Sequence, residues 1–252
     1  MARRIAHFSC GAASAVAAKL SNPDEIWYAN TGGEDEDNMR FLKDCEEWFG
    51  KEVRIIRSEK YASTWELWEK KRYLAGVAGA PCTGEMKRKP LQAAGEPGDV
   101  GIIGYTADSR DRLRVKQLRA MHPESEWEFP LIAAGMTKAA CLGMLGEVGI
   151  RPPRVYAMGF HNANCIPCVK AVSPKYWALM RERFPDEFWR MDKLARELNV
   201  TIVQLSTKNG VKLRGFPSDV PMDTAIQDPI SPACDLLCAA MADEWEDSTE
   251  DK

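Results

Sequence analysis

The stretch Ile5-Ala6-His7-Phe8-Ser9-Cys10-Gly11-Ala12-Ala13-Ser14 decides how this chain folds. Its apolar residues 5–8 indicate a strand, and residues 15–20 indicate the start of a helix. Small residues between a strand and a helix let backbone N–H groups approach an anion at the positive end of the helix dipole. The stretch therefore predicts a phosphate-binding loop at the carboxyl end of the first strand. The alternative is a tight turn in which Gly11 supplies an unusual backbone angle.

The pattern of apolar runs extends this first unit into a sheet. Further strands are predicted at residues 26–29, 53–56 and 100–105, with amphipathic helices between them at 38–49 and 61–74. Strands that alternate with helices are typical of a parallel sheet covered on both faces. We expect an α/β fold with a doubly wound, mainly parallel, Rossmann-like sheet.

The second half of the chain lacks this alternation of strands and helices. It predicts helices at 137–147, 176–183 and 186–198, and a small hairpin from 201–205 to 211–213 across Asn209-Gly210. We interpret it as a cysteine-bearing C-terminal appendage. The expected divisions are a nucleotide-binding core at 1–135, a part with paired cysteines at 136–242, and an acidic tail at 243–252.

Length and composition limit the class of protein. A chain of 252 residues, of which 45% are hydrophobic, suits one substantial α/β domain with a small addition. The formal net charge of −3 argues against a surface wholly committed to nucleic acid, although it allows a local basic groove. Apolar stretches fall short of the roughly 18 residues of a membrane span, and the N-terminus lacks a signal-like region, so we expect a cytoplasmic protein.

Four of the eight cysteines form two close pairs, Cys165 with Cys168 and Cys234 with Cys238. A short loop lets the first pair turn toward one ion, and a helical turn places the second pair on one face. Three interpretations stay open: a four-cysteine 4Fe–4S cluster, a structural zinc site, or pairs that never meet. In the last case Cys165 and Cys168 form a redox pair or a simple turn, and the other two pack as small apolar residues.

Four segments occur in a recognisable order along the chain. They are Ser9-Cys10-Gly11-Ala12-Ala13-Ser14, then Thr31-Gly32 with Glu34, then Cys82-Thr83 with Met86-Lys87 and Pro90-Leu91, and last Gly104-Tyr105-Thr106-Ala107-Asp108-Ser109 with Arg112. In this order they resemble the motifs of the phosphoadenosine phosphosulfate (PAPS) reductases of the PP-loop superfamily. Two positions depart from that pattern. Ala13 replaces an Asp of ATP-splitting members, which puts ATP hydrolysis in doubt, and Thr106 replaces an Arg.

The resemblance implies an adenine nucleotide, which is PAPS, APS or ATP. The residues expected to bind it are Ser9, Cys10, Gly11, Ser14, Thr31, Gly32, Gly104 and Ser109. It also implies a catalytic group made of Cys82, Lys87, Arg112 and Cys234, in which Cys234 attacks the sulfate sulfur. The segment around Cys234 lacks the Glu and Gly of the family's Glu-Cys-Gly motif. For Cys10, the helix N-terminus predicts a lowered pKa and an oxidisable thiol.

Three functional hypotheses follow. The leading one is reductive cleavage of an adenylyl sulfate to sulfite, with a thiol reductant protein as partner. The second is an ATP-dependent, iron–sulfur-assisted sulfur transferase acting on a nucleic acid or a nucleotide, and only this hypothesis calls for a nucleic-acid partner. The third is a non-catalytic nucleotide-binding module. An oligomer is compatible with each of them.

Overall fold

Five parallel strands form the central sheet in the order β3-β2-β1-β4-β5. The computed structural model describes residues 2–76, 79–227 and 229–231. The strands are β1 (Arg4–Phe8), β2 (Glu25–Ala29), β3 (Val53–Ile56), β4 (Val100–Ile103) and β5 (Glu126–Glu128). β1 is central, because its Ala6 pairs with Ile26 on one side and Ile102 on the other. The predicted doubly wound α/β sheet is confirmed.

Helices connect these strands and continue beyond them. They are α1 (Ala12–Ser21), α2 (Asp37–Phe49), α3 (Thr64–Lys71), α4 (Lys89–Ala94), α5 (Ser109–Met121), α6 (Pro130–Ala133), α7 (Lys138–Glu147), α8 (Pro174–Arg183) and α9 (Pro185–Glu197). A π-helical turn, Thr83–Arg88, leads directly into α4. β5 and α5 were not predicted from the apolar pattern, because β5 has only three residues and α5 has no buried face.

Helix α3 is shorter than the predicted 61–74 because local caps set its ends. The side chain of Ser63 accepts a hydrogen bond from the amide of Glu66 and so begins the helix. Arg72 has a positive φ of 51°, which ends it.

The two faces of the sheet are covered unequally. On one face, α1 and α2 bury aromatic side chains such as Phe8, Tyr28 and Phe41 in the main core. On the other face, a small cluster of Ile5, Trp27 and Ile56 packs against α4. Burial of β1 and β2 explains their almost continuous apolar sequences.

The C-terminal part adds helices and a hairpin. α8 and α9 contribute Trp177 and Phe188, both fully buried, to the main core. β6 (Val203–Lys208) and β7 (Val211–Gly215) are antiparallel, as predicted. Asn209 and Gly210 join them with φ of 51° and 76°, the left-handed pair that a type I′ turn requires.

Some sequence predictions fall beyond the described residues. Cys234, Cys238 and the acidic tail 243–252 lie outside them. The division into parts at 1–135 and 136–242 stays a prediction. Among the residues that are described, no helix has the length and apolar character needed to cross a membrane.

Candidate active site

The Ser9–Ser14 loop lies at the topological switch point of the sheet, where the strand order reverses at β1. β1 is flanked by β2 on one side and β4 on the other, which creates a crevice at the carboxyl ends of these strands. Gly104 follows β4 and packs against the loop, since an added Cβ would lie 2.7 Å from Cα of Ser14. A bare backbone at residue 104 therefore allows the loop and β4 to approach closely.

Hydroxyl groups hold the loop in shape. Oγ of Ser14 accepts a hydrogen bond from the amide of Ser9 (3.0 Å) and donates to the carbonyl of Gly11 (2.9 Å). The Tyr156 hydroxyl accepts from the amide of Ala12 (3.3 Å). The amides of Ala13 and Ser14 belong to the first turn of α1, where no acceptor exists within the helix. The loop is therefore preorganised, with helical N–H groups that suit an anion.

Cys10 differs from its prediction. It adopts a positive φ of 51° and its side chain is fully buried in the core. Burial raises the pKa of the Cys10 thiol far above its ordinary value. The prediction of a lowered pKa was wrong, because desolvation of the thiolate outweighs the field of the helix end. Only the backbone of Cys10 remains available to a ligand.

The turn after β2 forms a second wall of the crevice. Gly32 has a φ of 63°, and an added Cβ would lie 2.2 Å from the carbonyl oxygen of Ala62, so only glycine fits. The turn folds the Glu34 carboxylate back onto Thr31. Oε2 accepts from the Thr31 amide (3.0 Å), and Oε1 accepts from the Thr31 hydroxyl (2.8 Å).

Two acidic residues beside this turn, Asp35 and Asp37, bind Arg154 from a segment that is distant in the sequence. Asp35 is buried and lies 2.9 Å from Nε of Arg154. Asp37, the first residue of α2, accepts from Nε of Arg40 (2.8 Å) and from the amide of Arg154 (2.7 Å). The hydrogen bond from Arg40 lowers the pKa of Asp37 to about 2. These contacts bring the chain that leads to the first cysteine pair to the carboxyl end of β2.

The thiol of Cys165 lies against the second turn. The amide of Ile166 donates to the carbonyl of Gly33 (2.7 Å), which fixes the loop. Sγ of Cys165 is then 3.1 Å from the Thr31 hydroxyl and 3.6 Å from Oε1 of Glu34. Burial raises the pKa of Cys165 to about 12, and the Glu34 carboxylate adds to that effect.

Two more thiols lie in the same region. Cys168 is partly exposed, and its amide donates to the hydroxyl of Tyr176 (2.7 Å). Cys82 precedes the π-helical turn and is buried. Burial raises the pKa of Cys82, and its interaction with Cys168 raises it further. Sequence reasoning did not group these three thiols, because β4 and β5 separate Cys82 from the other two along the chain.

Lys87 supplies the positive charge of this region. Its Nζ lies 3.8 Å from Oε1 of Glu34. Burial acts to lower the pKa of Lys87, but Cys165, Glu34 and the other thiols outweigh it, so the pKa is raised. The ammonium group therefore stays charged at neutral pH, as an anion-binding role requires.

The predicted metal site is only half present in the described chain. Cys165 and Cys168 are two of its four expected ligands, and the other two lie outside the described residues. Within the described residues, no three His, Cys, Asp or Glu side chains are arranged to hold a metal ion. The four-cysteine site stays a prediction.

The segment after β4 places the remaining predicted residues around the start of α5. Thr106, which stands where the family has Arg, is buried, and its amide donates to Asp111 (3.0 Å). Ser109 is the exposed first residue of α5. Arg112 is exposed and donates through Nε to the carbonyl of Ala107 (2.8 Å). Their proposed roles stay predictions.

Tyr156 and the pair of Asp35 and Arg154 were missed by sequence reasoning. A single tyrosine in a turn-rich stretch carries no motif, and the ion pair joins residues 119 positions apart. Only the folded chain brings them to the site.

Taken together, the strand order and the crevice at the carboxyl ends of β1, β2 and β4 define a doubly wound α/β protein. No protein-family model matches the chain, and no curated protein matches it by sequence. Solved structures do match, among them the phosphate complex of PAPS reductase from Candida auris. That match has a TM-score of 0.50 and 11% sequence identity, and covers 66% of this chain and 82% of the other. The chain has a PAPS reductase-like fold.

Proposed function

We propose that this protein binds an adenine nucleotide at the Ser9–Ser14 loop and reductively cleaves an adenylyl sulfate, PAPS or APS. The observation that carries the proposal is that Lys87 and Glu34 interact with both the loop and the thiols. Both residues interact electrostatically with Cys10 in the loop and with Cys165 beyond it. An anion in the crevice would thus have sulfur, a cation and helical N–H groups within reach.

Each group of proposed binding residues would contact a different part of the nucleotide. Ser9, the backbone of Cys10, Gly11 and Ser14 would hold its phosphates at the start of α1. Thr31 and Gly32 would line the crevice on the side of the turn after β2. Gly104 and Ser109 would line it on the side of the segment after β4. Lys87 would neutralise charge on the phosphate or sulfate group.

The proposed reaction transfers the sulfo group to a cysteine. The thiolate of Cys234 attacks the sulfate sulfur, and the bond from sulfur to the phosphate oxygen breaks. The nucleotide leaves with the electron pair, so that a cysteine thiosulfonate remains. A thiolate of a dithiol reductant protein then attacks the cysteine sulfur and displaces sulfite. The second donor thiol resolves the mixed disulfide, and the donor loses two electrons.

Lys87, Cys82 and Arg112 complete the proposed catalytic group. Lys87 would stabilise the charge that develops on the leaving phosphate. Cys82 would lie beside the reacting sulfur, and Arg112 would act at the outer end of the crevice. A cytoplasmic location is part of the proposal, because a dithiol donor needs a reducing compartment.

A metal centre is the alternative role proposed for Cys234, because a thiolate that binds a metal is not free to attack the sulfate sulfur. Cys165, Cys168, Cys234 and Cys238 would hold a 4Fe–4S cluster, with zinc as the alternative metal. Iron, zinc and labile sulfide analysis of protein purified without oxygen tests it, and the absence of all three would overturn it.

Sulfite release from PAPS and from APS, with a dithiol protein as donor, tests the reaction. We expect Cys234→Ser to abolish turnover and to leave nucleotide binding unchanged, while the control Cys45→Ala, on the buried face of α2, keeps turnover. A wild-type protein that neither binds adenine nucleotides nor releases sulfite would refute the proposal.

Two other outcomes identify the competing functions. Release of AMP and pyrophosphate from ATP on addition of RNA or DNA would identify the sulfur transferase, which the cysteine pairs favour and Ala13 opposes. Tight nucleotide binding without turnover, unchanged by Cys234→Ser, would identify a non-catalytic module.

A further inference from the structure

Helix α5 is the most positively charged element of the described chain. It carries the five basic residues Arg110, Arg112, Arg114, Lys116 and Arg119, against one acidic residue, Asp111. The whole chain has a net charge of −3, so this concentration is local. A basic surface on an acidic protein indicates a polyanionic partner.

No residue of α5 is buried by the described part of the chain. Its apolar side chains are also open, since Leu113 is 61% and Met121 is 65% exposed. Helices that follow a strand in a doubly wound fold normally bury one face against the sheet. α5 therefore presents side chains that the described residues do not use for packing.

The basic side chains form a regular row. Arg112, Lys116 and Arg119 are spaced i, i+4 and i+7, so they lie on one side of the helix over about 10 Å. Arg112 reaches the carbonyl of Ala107, and Lys116 has no hydrogen-bond or ion-pair partner among the described residues. We call these three residues the α5 row.

Two aromatic rings contact arginine side chains of α5. Tyr105 and Phe129 stack on each other with centroids 5.9 Å apart. The guanidinium of Arg119 lies 5.4 Å from the ring of Phe129, and that of Arg114 lies 4.3 Å from the ring of Tyr105. Arg114 also donates through Nη1 to Asp111 (2.9 Å), whereas Arg119 has no hydrogen-bond or ion-pair partner among the described residues. Stacking holds the Arg119 guanidinium in place and leaves its N–H groups to meet phosphates.

A shallow depression adjoins the end of the row. Its volume is about 390 Å³, and its lining includes Arg119, His122, Glu126 and Trp127. At this end the charges are mixed, because His122 also faces Glu124 at 3.6 Å. The basic side chains are therefore concentrated on α5 itself and not in the depression beyond it.

We propose that α5 is a docking surface for the sugar-phosphate backbone of a nucleic acid. An interface with another protein has an apolar centre depleted of charge, which α5 lacks. A second copy of this chain would bring like charges together. Nucleic-acid surfaces, in contrast, rely on rows of Arg and Lys that contact phosphates. The proposal does not require the reaction proposed above. Arg112 is shared with the proposed catalytic group, whereas Lys116 and Arg119 belong to the docking surface alone.

Fluorescence anisotropy with a labelled single-stranded RNA of about 20 nucleotides, longer than the site of one binding module, tests the proposal. The full chain is compared with the triple variant Arg112→Gln, Lys116→Gln, Arg119→Gln. Loss of three phosphate contacts should reduce the slope of log K against log salt by about 2. At about 0.1 M salt this corresponds to roughly 100-fold weaker binding.

The hairpin offers a charge-matched control. Lys208→Gln, Lys212→Gln, Arg214→Gln removes the same charge from another exposed surface, and we expect it to keep wild-type RNA binding. Equal losses in both triple variants, or no RNA binding at low salt, would overturn the proposal. A labelled polyglutamate peptide bound as tightly as RNA would also overturn it, in favour of an acidic protein partner. Circular dichroism confirms that both variants are folded.

Discussion

The hydroxyl oxygen of Tyr156 lies 3.3 Å from the amide nitrogen of Ala12 and accepts its hydrogen bond. The two residues are 144 positions apart. This contact joins the Ser9–Ser14 loop to the segment that carries Cys165, so that the two halves of the crevice support each other. It also satisfies one amide that the first turn of α1 leaves without an acceptor.

Tyr156→Phe should destabilise the protein by about 1–3 kcal/mol, because the buried amide of Ala12 loses its acceptor. Urea denaturation measures the change in the free energy of unfolding. Tyr73→Phe is the control, since the one acceptor of the Tyr73 hydroxyl among the described residues is the exposed carbonyl of Gly79. Equal losses in the two variants would show that the Tyr156 hydroxyl has no special structural role.

Gly104→Ala should displace the Ser9–Ser14 loop. The new Cβ would lie 2.7 Å from Cα of Ser14, and backbone atoms cannot move away without shifting α1. We expect a loss of about 1–3 kcal/mol of stability and weaker nucleotide binding. Gly146→Ala, in α7, has nothing within 4 Å of the new methyl group and should be neutral or stabilising. Calorimetric titration with adenine nucleotides measures the affinity, and wild-type affinity in Gly104→Ala would contradict the close approach.

Asp37 should make the fold sensitive to acid. Its pKa is lowered from 3.8 to about 2 by the hydrogen bond from Arg40, so the folded state favours the charged form. The stabilisation is present above about pH 4 and is lost as the pH falls toward 2. Asp37→Asn should therefore cost about 2 kcal/mol at neutral pH, and the difference from wild type should vanish near pH 2.

Asp44→Asn is the matched control for this effect. Asp44 also pairs with Arg40, but its side chain is 39% exposed, so its loss should cost less than about 1 kcal/mol. Denaturant unfolding between pH 2 and pH 7 compares the variants. A difference between Asp37→Asn and wild type that does not change with pH would contradict the assignment.

Alkylation should distinguish Cys168 from Cys10. In metal-free folded protein, the partly exposed Cys168 should react with iodoacetamide first. The alkylation rate of Cys10 should be lower than that of Cys168 by about ten-fold or more, because the Cys10 thiol is buried and burial raises its pKa. Peptide mass spectrometry follows both sites, and unfolding in urea should remove the difference. Equal rates in the folded protein would show that the Cys10 side chain is open to solvent.

The sequence by itself determined the parts of this protein that depend on neighbouring residues. The apolar run before Ser9 and the small residues after it specify β1, its loop and α1, and this local pattern was predicted correctly. The turn at Asn209 and Gly210 likewise depends on two residues that accept positive φ. Such features are encoded locally because steric limits and side-chain alternation act over a few residues.

Only the tertiary structure decided what surrounds the crevice. Thr31 and Cys165 meet at 3.1 Å although 134 positions separate them, and the clamp from Asp35 to Arg154 spans 119. The burial of Cys10 reversed the pKa expected from its place at a helix end. These properties depend on which surfaces pack together and exclude water, and packing is a property of the whole folded chain that no single stretch of sequence contains.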